Sequence, residues 1–343
     1  MLKIKLYELE KHRNETTFRP YIMAQNVLRD VGIELTQGDS YDYAWVGQAS
    51  FMNKKVSLEQ STAEGLEFLN KITGDYMLLD GQDSTSLIGS YDVFKESNAM
   101  LLLKNSLLKD RALYDSTAVN GWVNGRYYWG KGNYKCNDFN KYSDRIKLSG
   151  TNWLSTIPKP KWYNNIHKTN DVSALFSYPS KPGNIEFNIE NNIPYDEYRK
   201  PCIDVVNQLS CNVYKLNQGE KLPPEEYYNK MASSKIVLAP FGYGEMAPRD
   251  IEAISFGSIL IKPYTDFIDS NPMWYEEGKT YIACRNDFAD LEERIQYVLD
   301  NFEYLQQTMI PYARKKFEEL YTLENTAINT YNIFNNLPEV QSI

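Results

Sequence analysis

The segment between residues 233 and 257 contains the residue types and spacing that most clearly indicate chemistry. A buried strand candidate over 235–240 runs into a glycine-rich turn, which brings backbone N–H groups close to whatever lies beyond the strand. Pro248 stands where the first residue of a helix is expected, and such a turn with its helix N-terminus suits a phosphate. Arg249 adds a cation with bidentate geometry, and Glu252, about one turn later, lies in reach of sugar hydroxyls. The sequence therefore predicts a nucleotide-sugar pocket.

A plainer alternative exists for the two charged residues of this segment. Arg249 and Glu252 are three positions apart, so they could form an ion pair on a helix surface. We favour the ligand-binding role because the glycine-rich turn and the proline at the helix start accompany the pair.

Alternating strands and helices surround this segment. The first half contains one α/β unit with an acidic turn at its end. This unit consists of a strand candidate over 43–47, a helix over 57–72 and a strand over 76–80. The apolar run 99–105 is compatible with a strand or a helix. In the second half, strands are expected at 172–178, 212–216, 235–240, 258–262 and 280–283, and helices at 195–209, from 223, at 248–256 and around 291–295.

This pattern predicts an α/β protein with two Rossmann-like domains and a cleft between them. At 343 residues the chain is long enough for two domains. We expect one domain over 1–165 and a second over 166–321, with a proline-containing hinge at 157–161. A C-terminal helix over about 322–343 is expected to pack back on the first domain.

The order of residues in 233–263 resembles the donor-domain signature of GT-B glycosyltransferases, most closely that of the exostosin-like family. The matching residues are Ser234, Leu238, Pro240, Gly242, Pro248, Arg249, Glu252, Ala253, Ile254 and Gly257. The strand and helix order is consistent with this family over about 171–320, whereas the N-terminal half shows no match.

The resemblance implies a GT-B fold, in which residues 1–165 form the acceptor-binding domain and residues 166–321 the donor-binding domain. It also implies a set of donor-binding residues. Those residues would be Arg199, Gly242, Tyr243, Gly244, Glu245, Pro248, Arg249 and Glu252. In the family the helix after the first donor-domain strand supplies an arginine to the diphosphate; for Arg199 the alternative is a solvated helix charge. Many retaining GT-B enzymes carry two glutamates eight positions apart, whereas Glu245 and Glu252 are seven apart, which leaves the inverting or retaining outcome open.

An inverting transfer also needs a base on the acceptor domain. Asp80 and Asp83 directly follow a buried strand candidate and are the predicted catalytic residues. The alternative for each is an Asx turn that caps the next helix. His12 and His167, the two histidines of the chain, could also serve.

Several classes of metal site are excluded by composition. The four cysteines form no Cys-x-x-Cys pair and the two histidines lie far apart, so zinc fingers and His-Glu-x-x-His metalloproteases are ruled out. No Asp-x-Asp motif occurs, in contrast to the metal-dependent GT-A glycosyltransferases. We therefore expect no metal and no cofactor, with arginine, lysine and helix dipoles neutralising the leaving diphosphate.

The expected function is thus transfer of a hexosyl or pentosyl group from a nucleotide-diphosphate sugar, expected to be UDP-linked, to a hydroxyl acceptor such as a glycan. The alternatives are a DNA-modifying glycosyltransferase that acts on hydroxymethylated bases and a non-catalytic carbohydrate- or nucleotide-binding protein. A net charge of −8 argues against duplex DNA as partner.

No apolar run approaches 18 residues and no signal peptide is visible, so a cytoplasmic location without a membrane span is expected. The aromatic-rich region 122–163 could stack on sugar rings or simply pack.

Overall fold

The computed structural model describes most of the chain: residues 1–115, 118–119, 122–123, 135–157, 159–176, 195–242 and 244–337. Parts of several predictions lie outside the described residues, namely Tyr243, Pro158 of the hinge, the end of the strand at 177–178, much of the aromatic-rich region and residues 338–343.

The first half forms a six-stranded sheet in the order β2-β1-β3-β4-β5-β9, with every neighbouring pair parallel. Its strands and those that accompany it are β1 (Leu2–Tyr7), β2 (Ile33–Thr36), β3 (Tyr43–Gly47), β4 (Tyr76–Asp80), β5 (Leu102–Lys104), β6 (Ser106–Leu108), β7 (Ala118–Val119), β8 (Trp122–Val123) and β9 (Ile146–Leu148). Its helices are α1 (His12–Met23), α2 (Gln25–Asp30), α3 (Gln48–Phe51), α4 (Leu58–Leu69), α5 (Ser90–Glu96) and α6 (Phe139–Tyr142), with 3-10 turns at Arg111–Asp115, Ser143–Arg145 and Trp153–Thr156.

Both faces of this sheet are buried, as expected for a parallel sheet covered by helices. Successive residues of β4 point to opposite faces, so Met77 and Leu79 join Trp45 in one apolar cluster while Leu78 joins Val46 in the other. This burial on both sides explains why the central strands have almost no polar residues before their carboxyl ends.

The second half forms a five-stranded parallel sheet in the order β11-β10-β12-β13-β15. Its strands, with one outside the sheet, are β10 (Asn170–Ala174), β11 (Val213–Lys215), β12 (Ser234–Leu238), β13 (Ile259–Pro263), β14 (Ile268–Ser270) and β15 (Ile282–Cys284). Its helices and those that follow are α7 (Tyr195–Gln208), α8 (Pro224–Ala232), α9 (Pro248–Ser255), α10 (Leu291–Asp300), α11 (Phe302–Leu320) and α12 (Leu323–Asn335).

Strand pairing and helix packing both join the halves. Strand β14 pairs antiparallel with β6, so that Ile268 lies opposite Leu108 and Ser270 lies opposite Ser106. Helix α12 packs on the first half, where the ring of Phe334 stacks on Trp45 with 5.9 Å between ring centroids. The chain therefore crosses back to the first half at its end.

The α/β class and the arrangement of two Rossmann-like sheets, as in the GT-B type, are confirmed. The strands and helices predicted from periodicity are observed within a few residues, and the undecided run 99–105 contains a strand, β5. Helix α7 begins at Tyr195, so Pro201 lies inside it. The proposed division at residues 165 and 321 stays a prediction. Within the described part of the chain, no helix is both long and apolar enough to cross a membrane.

Candidate functional site

The site forms where the carboxyl ends of the two parallel sheets meet. We call residues 81–89, which follow β4, the acidic loop, and residues 239–247, which follow β12, the glycine-rich loop. The Glu245 carboxylate accepts hydrogen bonds from the Thr85 backbone N–H at 3.1 Å and from the Thr85 hydroxyl at 3.1 Å. Ligands of open α/β sheets bind at such edges, so the two loops lie where a site is expected.

The close approach of the loops depends on a glycine. A Cβ atom at Gly244 would lie 1.9 Å from the backbone oxygen of Asp83, a distance that no side chain tolerates. Within the same loop the N–H of Gly242 donates to the carbonyl of Gly244 at 3.2 Å. The glycines predicted from the sequence therefore bring the loop backbone against the other half of the molecule.

Arg199 points at the glycine-rich loop from helix α7. Only 6% of the residue is exposed. Its Nε donates to the carbonyl of Phe241 at 2.9 Å, and its guanidinium lies 5.4 Å from the centre of the Phe176 ring. The alternative of a solvated helix charge is therefore wrong, since the residue is buried beside the loop.

Arg249 and Glu252 belong to one network at the start of α9. Between these two described side chains there is no direct ion pair. Instead the Tyr227 hydroxyl lies between them, 3.2 Å from Arg249 Nε and 3.3 Å from a Glu252 oxygen. The Tyr228 hydroxyl donates to the other Glu252 oxygen at 3.2 Å. Burial raises the pKa of Glu252, and the two tyrosine hydroxyls together with Arg249 partly oppose that shift.

A cavity of about 900 Å³ opens beside Glu252. Its walls come from helices α8 and α9, from the segment 156–166 that joins the two sheets, and from Arg19 of α1. Pro248 is exposed at its edge, at the first position of α9. An apolar lining with a few polar groups at one side is typical of small-molecule sites.

Beneath the glycine-rich loop lies a buried lysine. Lys262 ends the apolar run of β13 and is 1% exposed. Its ammonium donates to the carbonyl of Glu245 at 2.7 Å and to the Asp250 carboxylate at 2.6 Å, while the Asp250 carboxylate also accepts the N–H of Ala247. Burial lowers the pKa of Lys262, and Asp250 opposes that shift. The lysine thus holds the loop and the first turn of α9 together.

Asp80 is engaged in a similar buried arrangement in the first half. Its carboxylate accepts the N–H of Gln82 at 2.8 Å, which is the Asx turn considered as the alternative from the sequence, although no helix is capped by it. It also accepts a hydrogen bond from Lys104 Nζ at 3.3 Å, and both side chains are fully buried. Burial lowers the pKa of Lys104, with Asp80 opposing the shift. The ion pair anchors the base of the acidic loop.

Asp83 differs from Asp80 because it is only half-buried and lies at the junction itself. The indole Nε1 of Trp153 donates to its carboxylate at 2.5 Å. Its backbone faces Gly244 across the junction. Of the two aspartates, Asp83 is therefore the one whose backbone and Cβ lie against the glycine-rich loop.

Several residues of this site were missed in the sequence. Lys104 and Lys262 each follow three apolar residues at the carboxyl end of a buried strand, and that position was a visible signal. Thr85, Tyr227 and Tyr228 carried no signal, because their contacts depend on how loops and helices pack.

Neither histidine lies in the acidic or the glycine-rich loop. The His12 side chain is 94% exposed at the start of α1, and His167 is exposed in the segment before β10. In the described ranges, no group of three histidine, cysteine, aspartate or glutamate residues is arranged to hold a metal ion.

Residues 184–330 match the family model described as glycosyl transferase-like. The match includes the glycine-rich loop, Arg199 and the whole 233–263 signature. Because it covers less than half of the chain and begins after the first sheet, it leaves the first half unassigned. The finer exostosin-like assignment stays a prediction, and no curated protein matches the chain in a sequence comparison.

Several solved structures have a similar course of the chain. The sucrose-phosphate synthase of Thermosynechococcus elongatus aligns with a TM-score of 0.48 and 10% identity, covering 98% of this chain and 99% of that one. Anabaena HepE in complex with UDP-glucose gives a TM-score of 0.41 and 10% identity over 98% of this chain and 100% of that one. A Rickettsia africae glycosyltransferase gives 0.43 and 10%, covering 99% of each chain. At such identities and scores these similarities do not indicate a shared activity.

Proposed function

We propose that this protein is a glycosyltransferase that moves a sugar from a nucleotide-diphosphate sugar, first of all a UDP-sugar, to a hydroxyl group of a glycan. The observation that carries the proposal is the position of Arg199. It comes from a different helix, yet it is buried against the glycine-rich loop, inside the segment that matches the glycosyl transferase-like family. A guanidinium buried against a glycine-rich loop suits a diphosphate.

Each half of the site has its own task in this proposal. Arg199, Arg249 and the N-terminus of α9 bind the diphosphate, and Glu252 accepts hydrogen bonds from hydroxyls of the nucleotide ribose. The cavity beside Glu252 holds the remaining part of the nucleoside. Because the cations and N–H groups are already in place, the negative charge of the leaving diphosphate is stabilised without reorganisation.

The transfer itself needs one proton acceptor on the opposite side. The acceptor oxygen forms a bond to the anomeric carbon while the bond from that carbon to the diphosphate oxygen breaks. The hydroxyl proton passes to the Asp83 carboxylate, and the diphosphate leaves with the bonding electron pair. Asp80 supports this step indirectly, since its ion pair with Lys104 anchors the acidic loop.

No cofactor is part of this proposal, and a metal ion is not required by it. The absence of an Asp-x-Asp motif in the sequence supports this, as does the supply of cations by the chain itself. Addition of a divalent cation is therefore expected to leave donor binding unchanged.

Calorimetric titration with UDP, GDP, ADP and CMP tests the proposal directly. We expect UDP to bind, and we expect Arg199→Ala and Arg249→Ala each to weaken binding at least about tenfold, which corresponds to about 1.4 kcal/mol. Arg29→Ala is the matched control, because Arg29 is exposed on α2 at the opposite edge of the first sheet. If none of the nucleotides binds, or if Arg199→Ala binds UDP as the parent does, the proposal is wrong.

Hydrolysis of UDP-sugars in the absence of an acceptor separates turnover from binding alone. A glycosyltransferase is expected to release UDP slowly with water as acceptor. Tight UDP binding without release, for any sugar offered, would favour the alternative of a non-catalytic binding protein.

A further inference from the structure

A second pocket lies on the acceptor side of the proposed active site. It has a volume of about 600 Å³ and is formed by the start of α1, by α3 with the residues that follow it, and by α4. We call it the basic pocket. Its lining contains the basic residues Arg13, Lys54 and Lys55 together with His12.

The basic pocket adjoins the acidic loop. Its lining residue Met52 lies against Gln82, with 3.9 Å between the methionine sulfur and the Gln82 amide nitrogen. Gln82 stands between Asp80 and Asp83. Helix α1 begins after β1 and α3 begins after β3, so the pocket lies on the same carboxyl edge of the sheet as the acidic loop. A ligand in this pocket would therefore lie on the side of the acidic loop that Gln82 forms, one residue before the proposed base.

The charge of the pocket is opposite to that of the whole chain. Arg13, Lys54 and Lys55 are its basic side chains, whereas Glu64 is the carboxylate among the described lining residues. That glutamate is already hydrogen-bonded by Asn53 at 2.8 Å. The chain as a whole has a net charge of −8. A local excess of positive charge in an acidic protein raises the local concentration of anions.

The walls of the pocket are held in place by a buried asparagine. Asn14, next to Arg13, is fully buried; its side chain accepts the N–H of Ala49 at 3.0 Å and donates to the Ser50 hydroxyl at 2.8 Å. A Cβ atom at Gly47 would lie 2.2 Å from the Asn14 side-chain oxygen, so the glycine admits this contact. The first turn of α1 is thus fixed against α3, and the Arg13 backbone with it.

We infer that the basic pocket binds an anionic group of the acceptor, so that the acceptor is a sugar or glycan that carries a phosphate or a carboxylate. This inference rests on the proposed function. The volume suits one sugar residue with its substituent, and Arg13 supplies the planar donor geometry that phosphate and carboxylate both accept. Duplex DNA is disfavoured by the acidic balance of the chain and by the size of the pocket.

Binding of small acceptor analogues, measured by NMR titration, tests the inference without turnover. The probes are a hexose 6-phosphate, a hexuronic acid and an uncharged methyl hexoside, with a short DNA duplex as a fourth arm. We expect at least one anionic sugar to bind at least about tenfold more tightly than the methyl hexoside, and we expect this preference to fall with added salt. The phosphate and carboxylate arms show which anion the pocket prefers.

The double variant Arg13→Ala/Lys55→Ala localises the effect. We expect it to weaken binding of the anionic sugar about tenfold while the Kd for UDP is unchanged. The matched control is Arg29→Ala/Lys71→Ala, which removes the same two charges from exposed positions at the opposite edge of the sheet. Asn14→Ala is not suitable as the main test because it removes buried hydrogen bonds.

The outcomes separate this inference from the proposed function. Three results would overturn the inference: equal binding of charged and uncharged sugars, unchanged binding of the anionic sugar in the double variant, or a preference for the DNA duplex. If UDP still binds in that case, the proposed function is unaffected. Failure of UDP to bind would instead overturn the proposed function, and the sugar titrations would still report on the pocket.

Discussion

The carboxylate of Glu245 in the second half of the molecule accepts both the N–H and the hydroxyl of Thr85 in the first half. The glutamate is 3% exposed, and burial raises its pKa above the ordinary value of 4.5. A buried carboxylate in the second half of the molecule thus makes part of the contact with the first half.

This pKa shift predicts how stability depends on pH. Because the folded-state pKa of Glu245 is raised, its contribution is full below the ordinary glutamate pKa and is lost as the pH rises through the folded value. Glu245→Gln removes the titration but keeps an acceptor oxygen. We expect the free energy of unfolding of the parent, relative to that of the variant, to fall as the pH rises above 4.5, measured by urea unfolding. Glu303→Gln at an exposed site is the control; an equally flat difference for both variants would contradict the assignment.

Substitution of Gly244 is expected to force the two loops apart. The clash of a new Cβ is with the backbone oxygen of Asp83, at 1.9 Å, and no side-chain rotation can relieve it. We expect Gly244→Ala to cost about 1–3 kcal/mol of stability, as overpacking does, and to reduce UDP-sugar hydrolysis strongly. Gly38→Ala is the matched control, since its Cβ would lie 3.4 Å from its nearest neighbour. Equal melting temperatures for both variants would argue against the contact.

Asp80 and Lys104 are expected to behave as one buried pair. Asp80→Asn leaves the Lys104 ammonium without its counter-charge and should destabilise the protein by about 3 kcal/mol or more. The double variant Asp80→Asn/Lys104→Met removes the buried charge as well, so it should recover much of that loss. Urea unfolding of both variants checks this, and additive losses would show that the pair is not coupled.

Asp83 is expected to affect turnover rather than stability. Asp83→Asn keeps the acceptor oxygen for Trp153 but removes the proposed base, so kcat of UDP-sugar hydrolysis should fall at least about a hundredfold with the UDP Kd unchanged. Asp30→Asn, at an exposed position of α2, serves as the control. A variant that retains full activity would leave Asp83 as a structural residue only.

Much of the second half could be predicted because its signals are local. A few neighbouring residues are enough to identify the glycine-rich turn, Pro248 at the helix start and the apolar runs of β12 and β13. The strands and helices of this half can be predicted from these short patterns. Helix α1 was missed for the opposite reason. It has few apolar residues and contains Pro20, and it is stabilised by packing of Phe18 and Tyr21 into the core.

The candidate site was predictable only in part. The positions of Arg249 and Glu252 follow from helix spacing, but the Tyr227 hydroxyl between them comes from another helix. The position of Asp83 at the junction likewise depends on how closely the two halves pack. Contacts between distant segments produce no periodic pattern in a sequence. Neither the Tyr227 contacts nor the packing around Asp83 could therefore be inferred from the sequence.

The antiparallel pairing of β6 with β14 has a consequence for motion between the halves. Backbone hydrogen bonds, such as that from Lys109 N to the carbonyl of Phe267 at 2.8 Å, tie the two sheets together beside the site. Any wide separation of the halves must break this ladder, whereas a small rotation about it need not. The rate of amide hydrogen exchange at residues 106–109 and 268–270 would therefore report how often the two halves separate. Slower exchange with bound nucleotide would show that the donor stabilises the closed arrangement of the halves.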